Sequence, residues 1–380
     1  MFTTSGGGGS MSPLVLVCTI TIYALVLSQC CIVLNVYVRP GLLRLLLMIP
    51  LILLHLTLPP VMVDRNENVI TLAIMSALIS WWCSFKLIAF AWDRGAITQA
   101  IRLKYPTIAI AMLLVLPVTP VFQQRDVEDT RSKNSQKTSS QATVTSYAWR
   151  FITKVALLLA TVHAITAYQL PDIVAHFLMA WGLYALLGGL MDGLSCVCLL
   201  VDGRVKLVPH FDQPYLSESL EIFWAKRWNR FAAGQLRSIV FDPLIDNCAV
   251  APPDANDRVA RFRRRQRAGL FRVAVATICT FAMSGIMHEL VFYHLTGAIS
   301  SGAGWFLFFS LNGVLVLVER AMWSRTAWYT NLPSYVRVAF TLALEVYVAE
   351  LFFFKPVIQA GLDVAVIESV KETTASFVLV

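Results

Sequence analysis

The sequence is poor in charge and lacks the cysteine patterns of metal-binding or disulfide-linked proteins. Only 14% of its 380 residues are charged and 57% are hydrophobic, against about 25% and about 45–50% in a soluble domain. Its eight cysteines form no Cys-x-x-Cys pair, and all except Cys248 fall in apolar segments. Neither a zinc site nor a disulfide framework is therefore indicated, and the composition predicts an integral helical membrane protein.

Two catalytic signatures are also missing. There is no Gly-x-Ser-x-Gly turn, so a serine acyl-enzyme route lacks its nucleophile motif. A metalloprotease is excluded because the residue four positions after His288 is Phe292 and not a second histidine. No basic segment precedes the first apolar run, which is therefore expected to be a retained span and not a cleaved signal peptide.

Long apolar runs are what the sequence has in plenty. They predict an all-α, multi-spanning helical bundle with about eight transmembrane helices, because about 20 apolar residues cross a bilayer as a helix. The apolar run 107–122 is too short to cross and contains Pro117 and Pro120, which favours a re-entrant or interfacial segment. The predicted spans are 14–36, 42–62, 69–91, 148–170, 173–200, 269–293, 303–322 and 334–356.

The basic residues predict the orientation of these spans. The loops 39–44, 93–154, 201–272 and 320–337 contain every lysine and arginine except Arg65, Lys86, Lys355 and Lys371. By the positive-inside rule these four loops are predicted to face the cytosol. We expect the bilayer to be the macromolecular partner and expect no nucleic acid.

Two segments are expected to lie outside the folded bundle. Residues 1–10 end in Gly-Gly-Gly-Gly-Ser, which predicts a flexible linker or a remnant of cloning and leaves 11–380 as a single membrane domain. The stretch 123–146 is rich in Ser, Thr, Gln and charge and lacks hydrophobic periodicity, so it is predicted to be a disordered loop.

Two short motifs carry the chemistry. The first, at 219–229, reads Ser-Leu-Glu-Ile-Phe-Trp-Ala-Lys-Arg-Trp-Asn, and the second, at 281–289 in an apolar segment, reads Phe-Ala-Met-Ser-Gly-Ile-Met-His-Glu. In a helix Ser284 lies one turn before His288 on the same face. If 219–233 is one helix with Ser219 as its N-cap, Asn229 lies on a face of small apolar residues.

A Phe-Trp-x-x-Arg-Trp-Asn box followed by an intramembrane Ser-Gly-x-x-His-Glu resembles the wax synthase-like branch of the membrane-bound O-acyltransferases (MBOATs). The resemblance is specific in the two motifs, and the pattern of spans is compatible with it over about 170–355. It implies a helical bundle around a central catalytic chamber. His288 would be the general base for an acceptor hydroxyl, and Asn229 would orient a substrate or polarise a thioester carbonyl. Ser284 and Glu289 would support the site.

The resemblance also implies the substrates. Acyl-CoA would be the co-substrate, with no metal and no bound cofactor, and a lipophilic alcohol would be the acceptor. Trp224 and Trp228, with the basic residues Lys226, Arg227 and Arg230, are the expected acyl-CoA contacts because CoA phosphates attract positive charge. The arginines of 261–267 are explained equally well by topology and anionic headgroups.

Related fungal enzymes acetylate terpenoid or meroterpenoid hydroxyls in secondary metabolism, and acetyl transfer from acetyl-CoA in the endoplasmic reticulum is the expected activity. The alternative is a wax-ester synthase that joins long-chain acyl-CoA to a fatty or sterol alcohol. Acyl-chain length depends on a pocket that no linear motif reveals.

Other interpretations stay open. His288 and Asn229 can each be read as a packing residue hydrogen-bonded between helices. Lys86, Asp192, Glu345 and Glu350 would suit the ion path of a transporter, although no internal repeat accompanies them. The remaining histidines are predicted to be structural: His55, His163, His176, His210 and His294.

Overall fold

The structure, a computed structural model, describes residues 13–65, 68–122, 143–202, 205–255, 257–322, 326, 329 and 331–378. Within these residues the chain is almost entirely helical, which confirms the predicted all-α membrane fold. The predicted linker 1–10 and residues 123–142 of the predicted disordered loop lie outside the described residues.

Within the described residues, six helices are long and apolar enough to cross a membrane. They are α1 (Pro13–Tyr37), α4 (Val69–Ala91), α7 (Val144–Ala167), α8 (Asp172–Val201), α12 (Gly269–Thr296) and α13 (Gly304–Ala321, preceded by a 3-10 turn Ser301–Ala303). α2 (Leu42–Thr57) is shorter than these helices. α14 (Ser334–Ala349) continues through Glu350–Phe354 and Lys355–Gln359, and this whole stretch contains four charged residues. The total of eight crossings therefore stays a prediction.

The remaining elements are short connections and caps. The helices are α3 (Pro59–Met62), α5 (Ala96–Arg102), α6 (Thr107–Val115), α9 (Leu220–Ile222), α10 (Arg230–Leu236), α11 (Arg258–Arg267) and α15 (Leu362–Val378); Pro214–Leu216 forms a 3-10 turn. α9 continues through Phe223–Arg227, and α10 continues through Arg237–Phe241 and Asp242–Asp246. β1 (Pro120–Val121) and β2 (Lys206–Leu207) pair antiparallel, with Pro120 opposite Leu207.

The segment predicted to be re-entrant contains a buried helix too short to cross a bilayer. α6 has nine residues, and the chain then runs extended into β1. The ammonium of Lys86, on α4, donates to the carbonyl oxygens of Leu114 at 3.1 Å and Leu116 at 2.6 Å. A cation at the C-terminal end of a helix is favourable because the free carbonyls there carry partial negative charge. Lys86 thereby fixes α6 against α4.

The other intramembrane charges are paired in separate places. The ammonium of Lys154 contacts the carboxylate of Asp192 and joins α7 to α8. Glu345 accepts a hydrogen bond from the indole of Trp224 at 2.8 Å, and Glu350 lies 2.6 Å from His176. Lys154 therefore lies in a helix, within the predicted span 148–170, although the predicted cytosolic loop 93–154 also included it. The dispersed pairs do not form the continuous path that a transporter would need.

α12 and α13 form a hairpin that holds the second motif. The carboxylate of Glu289 accepts hydrogen bonds from the backbone N–H groups of Ser300 at 2.9 Å and Phe306 at 3.0 Å, and from the Ser300 hydroxyl at 2.5 Å. A Cβ on Gly285 would lie 2.9 Å from the backbone of Phe306. α12 and α13 thus approach each other closely at Gly285, and Glu289 fixes the start of α13.

The first motif is docked onto α13 and α14. The carboxylate of Glu319 accepts from the backbone N–H groups of Leu220 and Glu221 at 3.1 and 3.2 Å. Glu218 accepts from the Ser334 hydroxyl and from Arg337, each at 2.5 Å. These contacts, led by the Ser334 hydrogen bond, lower the pKa of Glu218, so the carboxylate is ionised near neutral pH. Two acidic side chains therefore fix the start of the motif helix.

Candidate active site

The two motifs meet at a single chamber of about 830 Å³. One face of α12 lines it over roughly 27 Å at 1.5 Å per residue, with side chains spaced three or four positions apart: Thr277, Thr280, Ser284, His288, Val291 and Leu295. The first motif contributes Phe223, Trp224, Ala225, Trp228 and Asn229 to the same lining. The structure therefore brings together two motifs that are about sixty residues apart in sequence.

The two ends of the chamber differ in chemistry. We call the end lined by Arg237, Arg265 and Arg320 the basic end, and the end lined by Val69, Leu295, Leu362 and Val366 the apolar end. His288 lies between the two ends along α12. A charged molecule with a long apolar tail would therefore match the chamber if its reactive group lay beside His288.

π-helical stretches recur around the chamber. Such wide turns are rare and are often found at functional sites because they redirect side chains. The stretches Ser76–Cys83, Phe223–Arg227, Arg237–Phe241 and Glu350–Phe354 each supply lining residues. These turns explain why simple helical spacing did not predict the lining.

The imidazole of His288 is oriented as a base. Its Nδ1 lies 2.7 Å from the carbonyl oxygen of Ser284, one turn earlier in α12. A carbonyl oxygen only accepts hydrogen bonds, so Nδ1 carries the proton and Nε2 has a free lone pair. The contribution of Ser284 is thus its backbone carbonyl.

Aromatic rings enclose His288. Phe309 stacks on the imidazole with ring centres 3.8 Å apart, and Trp81 meets it edge-on at 4.7 Å. The ring of Trp305 is 6.1 Å away. Glu289, although adjacent in sequence, is bound to the start of α13 and is not paired with the imidazole. His288 therefore has its unprotonated Nε2 within a shell of aromatic rings.

Asn229 does not lie within the single helix predicted over 219–233. Ser219 is the N-cap, as predicted, since its hydroxyl accepts from the Ile222 N–H at 3.0 Å. The helix ends at Arg227, Trp228 is extended, and Asn229 adopts a left-handed conformation with φ of 32°. The prediction of one helix is wrong because the chain turns here, and an asparagine tolerates the left-handed region better than most residues.

The side chain of Asn229 is held by the turn. Its Oδ1 accepts a hydrogen bond from the Ala232 N–H at 3.2 Å and caps α10. Because Oδ1 of Asn229 faces the Ala232 N–H, the NH₂ group of the same amide points away from that N–H. Asn229 lines the chamber, so its NH₂ group is the part of the side chain available as a hydrogen-bond donor.

The motif tryptophans lie inside the protein. The Trp224 indole donates to Glu345 at 2.8 Å and to Asn312 at 3.3 Å, and its ring lies 5.7 Å from Phe309. Because Phe309 stacks on His288, Trp224 connects the first motif to the His288 ring. Trp228 stacks on Phe223 at 5.4 Å. Both tryptophans line the chamber.

Of the three basic residues predicted to contact acyl-CoA, one lines the chamber and two do not. Lys226 is exposed, and Arg227 donates to the backbone carbonyls of Asp212 and Gln213, each at 3.0 Å; neither residue is part of the chamber lining. Arg230 does line it. The structure gives no support to Lys226 or Arg227 as donor contacts, and their role stays a prediction.

The basic end was not predicted from the sequence. Arg237 and Arg320 were not assigned to the site, and Arg265 was grouped with residues that fit membrane topology. The three arginines come from separate segments that meet only in the folded chain. The Nε–H of Arg265 is enclosed and has no partner among the described residues. Burial lowers the pKa of Arg265, yet an arginine stays charged at physiological pH.

The other histidines have structural contacts. His210 donates from Nε2 to the carbonyl of Pro117, and burial lowers its pKa to about 4, which keeps it neutral. His294 lies 3.0 Å from the Ser76 hydroxyl, and His55 contacts the Tyr23 hydroxyl. Among the described residues, no histidine other than His288 lines the chamber.

Residues 207–311, which contain both motifs, match the family described as "Membrane bound O-acyl transferase family". The chain is 25% identical to acyl-CoA–sterol O-acyltransferase 1 of Arabidopsis thaliana over 84% of this chain and 83% of the relative. It is 26% identical to a long-chain-alcohol O-fatty-acyltransferase of Simmondsia chinensis over 86% and 85% of the two chains. It is 28% identical to probable long-chain-alcohol O-fatty-acyltransferase 9 of Arabidopsis thaliana, over 90% of each. The chain thus resembles the membrane-bound O-acyltransferases in the region of both motifs, and over most of its length it is similar to plant sterol and long-chain-alcohol acyltransferases.

Proposed function

We propose that the protein transfers a long-chain acyl group from acyl-CoA to the hydroxyl of a long-chain alcohol or a sterol. The observation that carries the proposal is the His288 imidazole, which has its Nδ1 bound to the Ser284 carbonyl and lines a chamber with a mostly apolar wall. The names of the similar plant proteins support the substrate class. The acetyl and terpenoid specificity expected from the sequence has no such support and becomes an outcome of the test below.

The chemistry follows from the position of the imidazole. Nε2 of His288 takes the proton of the alcohol, and the oxygen attacks the thioester carbonyl carbon. The intermediate collapses to an ester, and the leaving thiolate of CoA takes the proton back from the imidazolium. The NH₂ group of Asn229 is the proposed donor to the carbonyl oxygen. No step consumes water or leaves a covalent acyl-protein.

The basic end suits the nucleotide part of acyl-CoA. Arg237, Arg265 and Arg320 offer guanidinium groups that bind phosphate well, and an adjoining pocket of about 380 Å³ shares Glu221, Arg265 and Arg320 with the chamber. The thioester would then reach His288, and the acyl chain would continue toward the apolar end. We propose that the basic end faces the cytosol, where acyl-CoA is available, in the endoplasmic reticulum membrane.

Substrate class is tested by supplying membranes that contain the protein with acetyl-CoA or a long-chain acyl-CoA. Each donor is paired with a long-chain alcohol, a sterol or a terpenoid alcohol. We expect esters of the long-chain donor with one or both of the first two acceptors, because about 830 Å³ accommodates a long hydrocarbon chain. Esters formed only from acetyl-CoA and a terpenoid alcohol would instead establish the acetyltransferase activity.

Arg265→Ala and Arg320→Ala should each raise the apparent KM for acyl-CoA by about tenfold to a hundredfold, since charge-assisted hydrogen bonds contribute about 1.5–3 kcal/mol. The KM for the alcohol should stay nearly unchanged. Lys226→Ala and Arg227→Ala serve as comparison, because their side chains lie outside the chamber lining. Steady-state kinetics with both substrates varied decides between the two pairs. If the KM for acyl-CoA rose only in the Lys226→Ala and Arg227→Ala variants, the CoA site would lie at residues 226 and 227 instead.

A further inference from the structure

Two adjacent tryptophans of the chamber lining have indole N–H groups without a hydrogen-bond partner in the part of the chain that the structure describes. Trp81 and Trp82 are 5% and 2% exposed, and both residues line the chamber. The Nε1 atom of each is enclosed and has no partner among the described residues. Two other tryptophans of the lining do have partners, since Trp224 donates to Glu345 and Trp305 donates to the Phe353 carbonyl. A buried donor without a partner is unfavourable and calls for an explanation such as a missing acceptor.

Only one of the two indoles is in ring contact with the catalytic histidine. Trp81 meets the His288 ring edge-on with centres 4.7 Å apart, whereas Trp82 is paired with Phe231 at 5.3 Å. Both belong to the π-helical stretch Ser76–Cys83 of α4, where the wide turn departs from ordinary helical spacing. The Ser80 hydroxyl donates to the His55 carbonyl at 2.7 Å and holds this stretch against α2.

We propose that the Nε1–H of Trp81 donates a hydrogen bond to the thioester carbonyl oxygen as that oxygen becomes negatively charged. This inference rests on the proposed acyl transfer. The acceptor oxygen must come within about 3 Å of His288 Nε2, and the thioester carbon within about 3–3.5 Å of that oxygen. The carbonyl oxygen then lies in the aromatic shell around His288, of which Trp81 is part.

The electron movement gives the indole a defined task. When the alcohol oxygen bonds to the carbonyl carbon, the C=O π pair moves onto the carbonyl oxygen while the hydroxyl proton moves to His288 Nε2. The Trp81 N–H stabilises that oxyanion without giving up its proton. When the pair returns and the C–S bond breaks, the thiolate leaves with the proton from the imidazolium. A neutral donor in an apolar shell is effective here because little water competes with it.

The test removes the N–H and keeps the ring. Trp81→Phe is compared with Trp82→Phe, which makes the same change one residue further along, and with benzothienylalanine at position 81, whose ring has sulfur in place of the N–H. Protein in vesicles is assayed with a long-chain acyl-CoA and with either a long-chain alcohol or a sterol as acceptor. Thermal stability of the detergent-solubilised variants is measured in parallel.

We expect both changes at position 81 to lower kcat by about 10²-fold, the loss typical of one oxyanion donor. The loss should be the same for both acceptors, with little change in either KM, and at least tenfold larger than the loss in Trp82→Phe. Should Trp81→Phe be unstable, the benzothienylalanine variant alone decides. Full activity of that variant, or a loss confined to the KM of one acceptor, overturns the inference. Absence of ester formation by the unaltered protein would instead refute the proposed function.

Discussion

His288→Ala is expected to reduce ester formation by about 10²–10⁴-fold, the usual cost of losing a general base. The alcohol would then have to attack the thioester while it still carries its proton. The substitution makes α12 more apolar and removes one hydrogen bond to the Ser284 carbonyl, so membrane insertion should persist. The measurement is the initial rate of ester formation in membranes with equal amounts of each protein.

The same helix offers a matched control. His294 is also buried in α12 but contacts the Ser76 hydroxyl and does not line the chamber. His294→Ala should therefore affect stability more than the rate per folded molecule. If His288→Ala formed ester at a near-normal rate, His288 would be a packing residue and another base would have to be sought.

Asn229→Asp is expected to lower kcat by about 10²-fold while leaving the protein folded. Aspartate can cap α10 as asparagine does and is among the residues that tolerate a left-handed conformation. It has no NH₂ group to donate to the thioester carbonyl. The change therefore separates the proposed catalytic role of the amide from its role as a cap.

Asn229→Ala is less informative, because it loses the cap, worth about 1 kcal/mol, and strains the backbone at positive φ. Asn229→Gly relieves the strain and removes the whole amide, so its kcat should fall as in the aspartate variant. The rates are to be compared with thermal stability measured on the same preparations. Wild-type turnover in Asn229→Asp would show that Asn229 acts only as a helix cap.

Local information in the sequence predicted much of this molecule. The apolar runs located the long helices, and Ser219 marked the start of the motif helix. The motif spacing correctly selected His288 as the histidine that lines the chamber. The first two inferences depend on neighbouring residues or on composition alone, whereas His288 was selected through the family resemblance of its motif.

The features that were not predicted from the sequence depend on contacts between distant segments of the chain. The turn at Asn229 breaks a helix that the apolar pattern suggested, and its left-handed residue is supported by the His210 carbonyl, which accepts from the Arg230 N–H at 2.8 Å. The basic end needs Arg237, Arg265 and Arg320 from three segments. Trp81 was missed because it lies outside the two motifs that carry the resemblance. No local sequence pattern indicates which distant segments come into contact in the folded chain.

Acyl transfer is proposed to take place at His288 inside the chamber. It is tested most directly with a long-chain acyl-CoA analogue that carries a photoreactive diazirine beside the thioester. After irradiation in membranes, the labelled residues are identified by mass spectrometry, with excess unlabelled acyl-CoA as competitor. We expect competitor-sensitive labelling of the shell around His288, namely Trp81, Phe309 and the neighbouring part of α12. Competitor-sensitive labelling confined to residues outside the chamber would contradict this proposal.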